Sequence, residues 1–180
     1  MKVSAIACIA ANGGLGKNNQ LLGHIPEDLA YFKAVTINKA VFMGSNTANS
    51  LPKGKPLPSR LNYVLCRESD RENFEERGFI PVVAKNVKTA VMRIAELGAT
   101  ELIIIGGAFV YKESLSIVDT LYLNIATELP LDADCFFEGV HDRSFLQGLG
   151  FSITQEEELE TESNGKLCCY VFQRDSSRLN

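Results

Sequence analysis

Three short runs, residues 3–10, 40–43 and 101–105, are almost wholly apolar, and each runs into a turn that carries glycine. Runs of that length with no polar alternation fit strands buried on both faces, and such strands belong to parallel sheets covered by helices. Helical patterns stand between them. Pro26 suits the first position of a helix, and Glu27 and Asp28 complement its positive end. Leu29, Phe32 and Lys33 follow at helical spacing, and the helix is expected to end near Asn38. Residues 87–97 read as an amphipathic helix with Val87, Val91, Ile94 and Ala95 inward, and residues 109–115 as another. Further strands are expected at 62–66, 79–83 and 121–126, with a closing antiparallel hairpin of 151–157 and 167–173 around Asn164-Gly165. The expected fold is α/β: a mostly parallel central sheet with an antiparallel C-terminal edge, flanked by helices. One domain should span residues 1–180, with 175–180 as a disordered tail.

Composition narrows the function classes. A net charge of −4 argues against a nucleic-acid partner, since such domains usually present a basic face. Five cysteines with no C-x-x-C pair, and only two histidines, give no zinc pattern. The odd cysteine count and the lack of a signal peptide or membrane span fit reduced thiols in a cytoplasmic protein. Adjacent Cys168 and Cys169 should point to opposite faces of a strand and serve packing.

In open α/β sheets ligands bind at the carboxyl ends of the strands. Three turns fall there. The segment 13–19 is rich in glycine and asparagine and is expected to be a long mobile loop. Gly44-Ser45-Asn46-Thr47 and Gly106-Gly107-Ala108 each join a buried strand to a helix, where the backbone can approach a phosphate closely. A lone Gly-Gly is more often a plain tight turn, but two such turns suit the two ends of a pyrophosphate. Asp28 lies one helical turn before Phe32, so both project from one helix face. By itself such an Asp is as readily a solvated partner of the helix dipole; beside Phe32 it is a carboxylate against an aromatic wall.

These residues resemble the dihydrofolate reductase family. The N-terminal strand, the Gly14-Leu15-Gly16 segment, Pro26-Glu27-Asp28-Leu29-Ala30-Tyr31-Phe32-Lys33, Met43-Gly44 with Thr47, Pro56-Leu57-Pro58-Ser59-Arg60 and Ile105-Gly106-Gly107 stand in that family's order and spacing. Leu121-Tyr122-Leu123 and Asp134-Cys135-Phe136-Phe137 also look like its segments. The resemblance implies NADPH-dependent reduction of 7,8-dihydrofolate to 5,6,7,8-tetrahydrofolate, feeding one-carbon and thymidylate metabolism, by a monomer.

It also implies roles. Asp28 would hold the amino-pyrimidine edge of the pterin and polarise the ring for protonation at N5, while hydride reaches C6. Ile6, Phe32 and Leu57 would line the pterin and aminobenzoyl pocket, and Arg60 would pair with the glutamate carboxylate, work that suits its planar fork. Cys8 would meet the nicotinamide carboxamide through its backbone. Leu15, Gly16, Asn19 and Gln20 would close over the nicotinamide ribose. Gly44, Ser45, Asn46 and Thr47, with Ile105, Gly106, Gly107, Ala108, Phe109, Val110 and Tyr111, would hold the phosphates. Cys66 and Arg67 fall where the family binds the adenosine 2′-phosphate, and Lys85 near the adenine.

The chain departs from the family pattern in several places. Leu22-Gly23 replaces a usual Pro-Trp, and Gly23 is expected to leave a void beside the carboxylate. Ser45 stands where many members have Arg, which leaves Arg67 most of the 2′-phosphate recognition and predicts weaker discrimination against NADH. Asn124 replaces a Thr that usually braces the carboxylate, and can donate through its amide. His24 near the pocket is expected to be a solvated loop residue. Two other functions fit the same pattern: a riboflavin-pathway pyrimidine reductase of the same fold, and a degenerate member that binds nucleotide or folate with little turnover.

Overall fold

The computed structural model describes residues 1–175. The tail expected at 175–180 lies, from residue 176 on, outside the described residues. In chain order the elements are β1 (Lys2–Ile9), β2 (Gly14–Lys17), β3 (Gln20–Leu21), α1 (Pro26–Thr36), β4 (Ala40–Gly44), α2 (Ser45–Ser50), β5 (Leu61–Cys66), α3 (Arg71–Glu76), β6 (Ile80–Val83), α4 (Val87–Glu96), β7 (Glu101–Gly106), α5 (Ala108–Ser114), β8 (Thr120–Ala126), β9 (Cys135–Phe136), α6 (Arg143–Gly148), β10 (Phe151–Glu160) and β11 (Lys166–Arg174).

Eight strands form one sheet in the order β10-β11-β8-β1-β7-β4-β5-β6. From β8 to β6 every neighbouring pair is parallel, whereas β11 runs antiparallel to both β8 and β10. The mostly parallel sheet with an antiparallel C-terminal edge is therefore as expected. Because β7 lies between β1 and β4, the carboxyl ends of these three strands come together, and with them the turns that follow.

Both faces of the sheet are covered, which is why its central strands are apolar throughout. Side chains alternate along β1. Val3, Ala5, Ala7 and Ile9 join the core under α4 and α5, while Ile6 faces the opposite cluster, against Tyr31, Phe32 and Val35 of α1. Phe42, Ile103, Ile104 and Leu121 are fully removed from solvent, each stabilising the fold by about 1.5–3 kcal/mol of burial. Cys168 packs against one cluster and Cys169 belongs to another, on opposite sides of β11 as expected.

Two local expectations are corrected. On α4 the inward residues are Val87, Ala90, Val91 and Ile94; Ala95 is exposed, because eight residues beyond Val87 the helix has turned it past the edge of the apolar stripe. The segment 13–19 is not an open loop. Its residues 14–17 form β2, which pairs with β3 on one side and with the distant β9 on the other. Asn18 and Asn19 turn the hairpin with φ of 51° and 60°, values that asparagine tolerates and a two-residue primed turn requires. The short helices α3 and α6 add to the expected elements.

Candidate active site

Asp28 sits in the first turn of α1, whose packing on the sheet sets the carboxylate over the middle of β8. There Asn124, fully buried, donates its amide Nδ2 to Asp28 Oδ1 at 2.8 Å. The register partners of Asn124 are Cys8 on β1 and Cys169 on β11. In-register residues on neighbouring strands share a face, so the three side chains form a row beneath the helix. Burial pushes the Asp28 carboxyl above its ordinary value, and the Asn124 amide and the Cys8 thiol hold it back. Burial and the nearby carboxylate push the Cys169 thiol up to about 11 and raise Cys8 further still, so both thiols stay protonated near neutrality. The pocket above is lined by Cys8, Leu15, Leu22, Ile25, Leu29 and Leu129 among others, and Asp28 is its one carboxylate among the described residues. Its volume of about 30 Å³ admits a water-sized group.

A second wall adjoins it. Ile6, Phe32 and Leu57 pack in one apolar cluster, as the sequence suggested. Arg60 is held by α1: its Nε donates to Thr36 Oγ1 at 2.9 Å, and its Nη1 donates to the Pro58 carbonyl at 2.7 Å. Thr36 is buried and itself donates to the Phe32 carbonyl at 2.7 Å. The guanidinium carbon stands 5.9 Å from the Phe32 ring centre, within cation–π reach. Asn62 at the start of β5 fixes the loop, accepting from the Leu57 amide and donating to the Leu57 and Arg60 carbonyls. The fork is thus aimed before any ligand arrives.

The two strand-end turns meet on the other side of β1. Met43 is in register with Gly106. A Cβ added to Gly107 would lie 3.1 Å from Thr47 Oγ1, and one added to Gly44 3.2 Å from Val110 Cγ2. Gly106 has a φ of 121°, which only glycine adopts readily. Ala108 and Phe109 follow, with Phe109 exposed, whereas Ile105 and Val110 are buried. Tyr111 is committed to the core. Its hydroxyl donates to the Ile6 carbonyl at 2.6 Å and its ring stacks on Phe137 at 4.5 Å, so its side chain is a pin between α5 and β1.

Beyond these turns Ser45, Asn46, Asn49, Arg67, Asp70, Asn73 and Phe74 line an open cleft of about 370 Å³. Ser45 Oγ donates to the Leu65 carbonyl at 2.9 Å, and Cys66 is buried at the end of β5. Lys85 is exposed just past β6, one strand further out. In the β2–β3 hairpin Leu15 reaches the Asp28 pocket, while Asn19 and Gln20 stand exposed at the tip. A Cβ on Gly16 would lie 2.5 Å from the Gln20 carbonyl oxygen, so the hairpin closes only around a glycine there.

The family model described as dihydrofolate reductase matches residues 2–174. The dihydrofolate reductase of Neisseria meningitidis serogroup A is 36% identical over 176 residues, covering 96% of both chains. The chain belongs to the dihydrofolate reductase family. The enzyme of Haemophilus influenzae is 39% identical over 138 residues, with 76% of this chain and 79% of that one covered. A protein named dihydrofolate reductase type 3 from Salmonella typhimurium is 37% identical over 137 residues, with 76% and 78% covered.

As a dihydrofolate reductase the chain is an enzyme acting on a small molecule, and no helix among its described residues is long and apolar enough to cross a membrane. Gly23 is exposed and lines this pocket, and beyond its chain neighbours a Cβ there would meet Leu129 Cδ2 alone, at 2.8 Å. Leu129, Thr36, Asn62 and Asp70 do not stand out in the sequence as site residues, and Cys169 reads there as packing alone. None carries a local signal, since each matters through a partner brought near by the fold.

Proposed function

We propose that the chain reduces 7,8-dihydrofolate to 5,6,7,8-tetrahydrofolate with NADPH, as one domain over its length. The observation that carries this is the lone carboxylate of Asp28, held by Asn124 in an apolar pocket next to the Ile6–Phe32–Leu57 wall and the pre-aimed Arg60. A flat ring with adjacent N–H donors, an aromatic middle and a terminal carboxylate matches these three regions in order. The one-domain reading is supported by the sheet, in which β1 lies between β7 and β8, and β11 extends it next to β8.

The residues present fit the cofactor. Side chains at Gly44 or Gly107 would fill the narrow space between the two strand-end turns, so glycine keeps their backbone open to an approaching phosphate. Arg67 stands as the basic group of the adjoining cleft, with Asn46 and Thr47 as amide and hydroxyl donors nearby, while the Ser45 hydroxyl is committed to the Leu65 carbonyl. NADPH, when bound, supplies the hydride. The chain's part is to orient and to manage a proton. Asp28, one oxygen taken by Asn124, presents the other to the pterin's amino-pyrimidine edge. Charge-assisted bonds there fix the ring and polarise it, so that N5 takes a proton relayed by water. Leu15, Leu22, Ile25 and Leu129 line the space beside the carboxylate, and apolar surroundings strengthen those bonds.

Asp28 with Phe32 and Arg60 favours folate over a substrate bearing a ribosyl phosphate, which would call for further basic residues at the pocket. Against a degenerate, inactive member stand the carboxylate with its Asn124 brace, the Gly106-Gly107 turn and the anchored Arg60. The test is dihydrofolate-dependent oxidation of NADPH with formation of tetrahydrofolate. Tight NADPH binding without turnover would contradict this function.

A further inference from the structure

Leu129 lies in the turn after β8, only 9% exposed, packed with Ile25, Leu167 and Cys169 and lining the Asp28 pocket. A Cβ placed on Gly23 would meet its Cδ2 at 2.8 Å and no other atom within 4 Å. Gly23 itself has no left-handed φ, so its backbone would accept any residue. Nothing local therefore demands glycine at this exposed position, and the one contact a side chain would make is with the end of Leu129. The two positions compete for one volume, and that volume borders the carboxylate.

We propose that Leu129, by reaching across to Gly23, forms the part of the apolar wall that faces residue 23 in the carboxylate pocket, so that residues 23 and 129 together determine which ring the pocket accepts. The identity of that ring rests on the function proposed above. An aliphatic wall has no donor to offer. The polar partners of Asp28 on the protein side are then Asn124 and Cys8, and the ligand must supply the rest. Leu129 is a positioning residue: it shapes the space in which the ring lies against Asp28.

The chain contains no Trp, so Gly23→Trp introduces a single indole whose emission reports its own burial. In Gly23→Trp alone, Leu129 holds the indole out and the emission is that of a solvated ring. Adding Leu129→Ala lets the indole in, and the emission moves to shorter wavelength. Dihydrofolate binding, followed by calorimetry, should weaken roughly 10-fold in each single variant and recover towards the parent in the double variant. Leu129→Val, carried through the same cycle, should shift the emission less and in the same direction, and it decides the matter where Leu129→Ala does not fold. Identical emission whatever stands at 129, or binding losses that simply add, would overturn the proposal. The emission needs no folate: a parent that fails to bind dihydrofolate counts against the proposed function, while the emission still decides the role of Leu129.

Discussion

Asn124 donates its amide to Asp28 Oδ1 at 2.8 Å, across 96 positions of sequence and from a strand that is buried on both faces. A hydrogen bond to a charged group of this kind contributes about 1.5–3 kcal/mol. It also occupies one of the two carboxylate oxygens. The amide's own Oδ1 is buried with no hydrogen-bond partner among the described residues, which is the cost of using Asn where a hydroxyl would serve. The brace that differs from the family pattern is thus a working brace with one idle end.

The carboxylate should make stability depend on pH in a defined direction. Burial raises the folded-state pKa of Asp28 above its ordinary 3.8. Below 3.8 the group is protonated in both the folded and the unfolded chain, and folding carries no penalty from it. As pH rises through the raised value the folded protein must ionise a buried acid, and that part of the stability is lost. Asp28→Asn should therefore melt higher than the parent at neutral pH, and the gap should close as pH falls below the carboxylate range. Thermal unfolding across that range checks it; a gap independent of pH would show that the substitution acts by other means.

Arg60 offers a separable prediction because its anchor is known. Thr36 and Pro58 hold Nε and Nη1 in place, and the planar fork remains in register with the loop. Lysine keeps the charge but has neither the Nε donor nor the fork. Arg60→Lys should raise KM for dihydrofolate about 10- to 100-fold with kcat nearly unchanged, the pattern of lost uniform binding. A pteridine substrate without the glutamate tail should be indifferent to the change.

Cofactor choice should turn on Arg67 and Asp70, which line the same cleft as Ser45. A carboxylate there opposes a 2′-phosphate, which strengthens the expectation of modest NADPH preference. Arg67→Ala should raise KM for NADPH about 10-fold and leave NADH nearly unaffected, and Asp70→Asn should lower it a few-fold. Both effects should shrink in high salt. Equal losses for both cofactors would remove Arg67 from 2′-phosphate recognition.

The parts of this molecule visible in its sequence are those fixed by neighbours in the chain. Pro26 with two acids begins α1, and Asp28 and Phe32 share a face by helical spacing alone. The apolar runs of β1, β4 and β7 announce burial on both sides. What stayed hidden depends on distant partners. Residues 14–17 look like a loop until β9 pairs with them, and Ala95 looks inward until the stripe on α4 is seen to centre on Ala90 and Val91. Gly23 looks like a deletion of bulk, and only the fold reveals the end of Leu129 as its neighbour. Thr36 is an ordinary helix residue in sequence, yet in the fold it aims Arg60.

The most direct test of Asp28 as pterin anchor is dihydrofolate-dependent NADPH oxidation by the parent and by Asp28→Asn, with NADPH binding measured alongside. The parent should turn over, and Asp28→Asn should lose about 10²- to 10⁴-fold in kcat/KM while binding NADPH within about twofold of the parent. Turnover that survives Asp28→Asn undiminished would contradict the role assigned to the carboxylate.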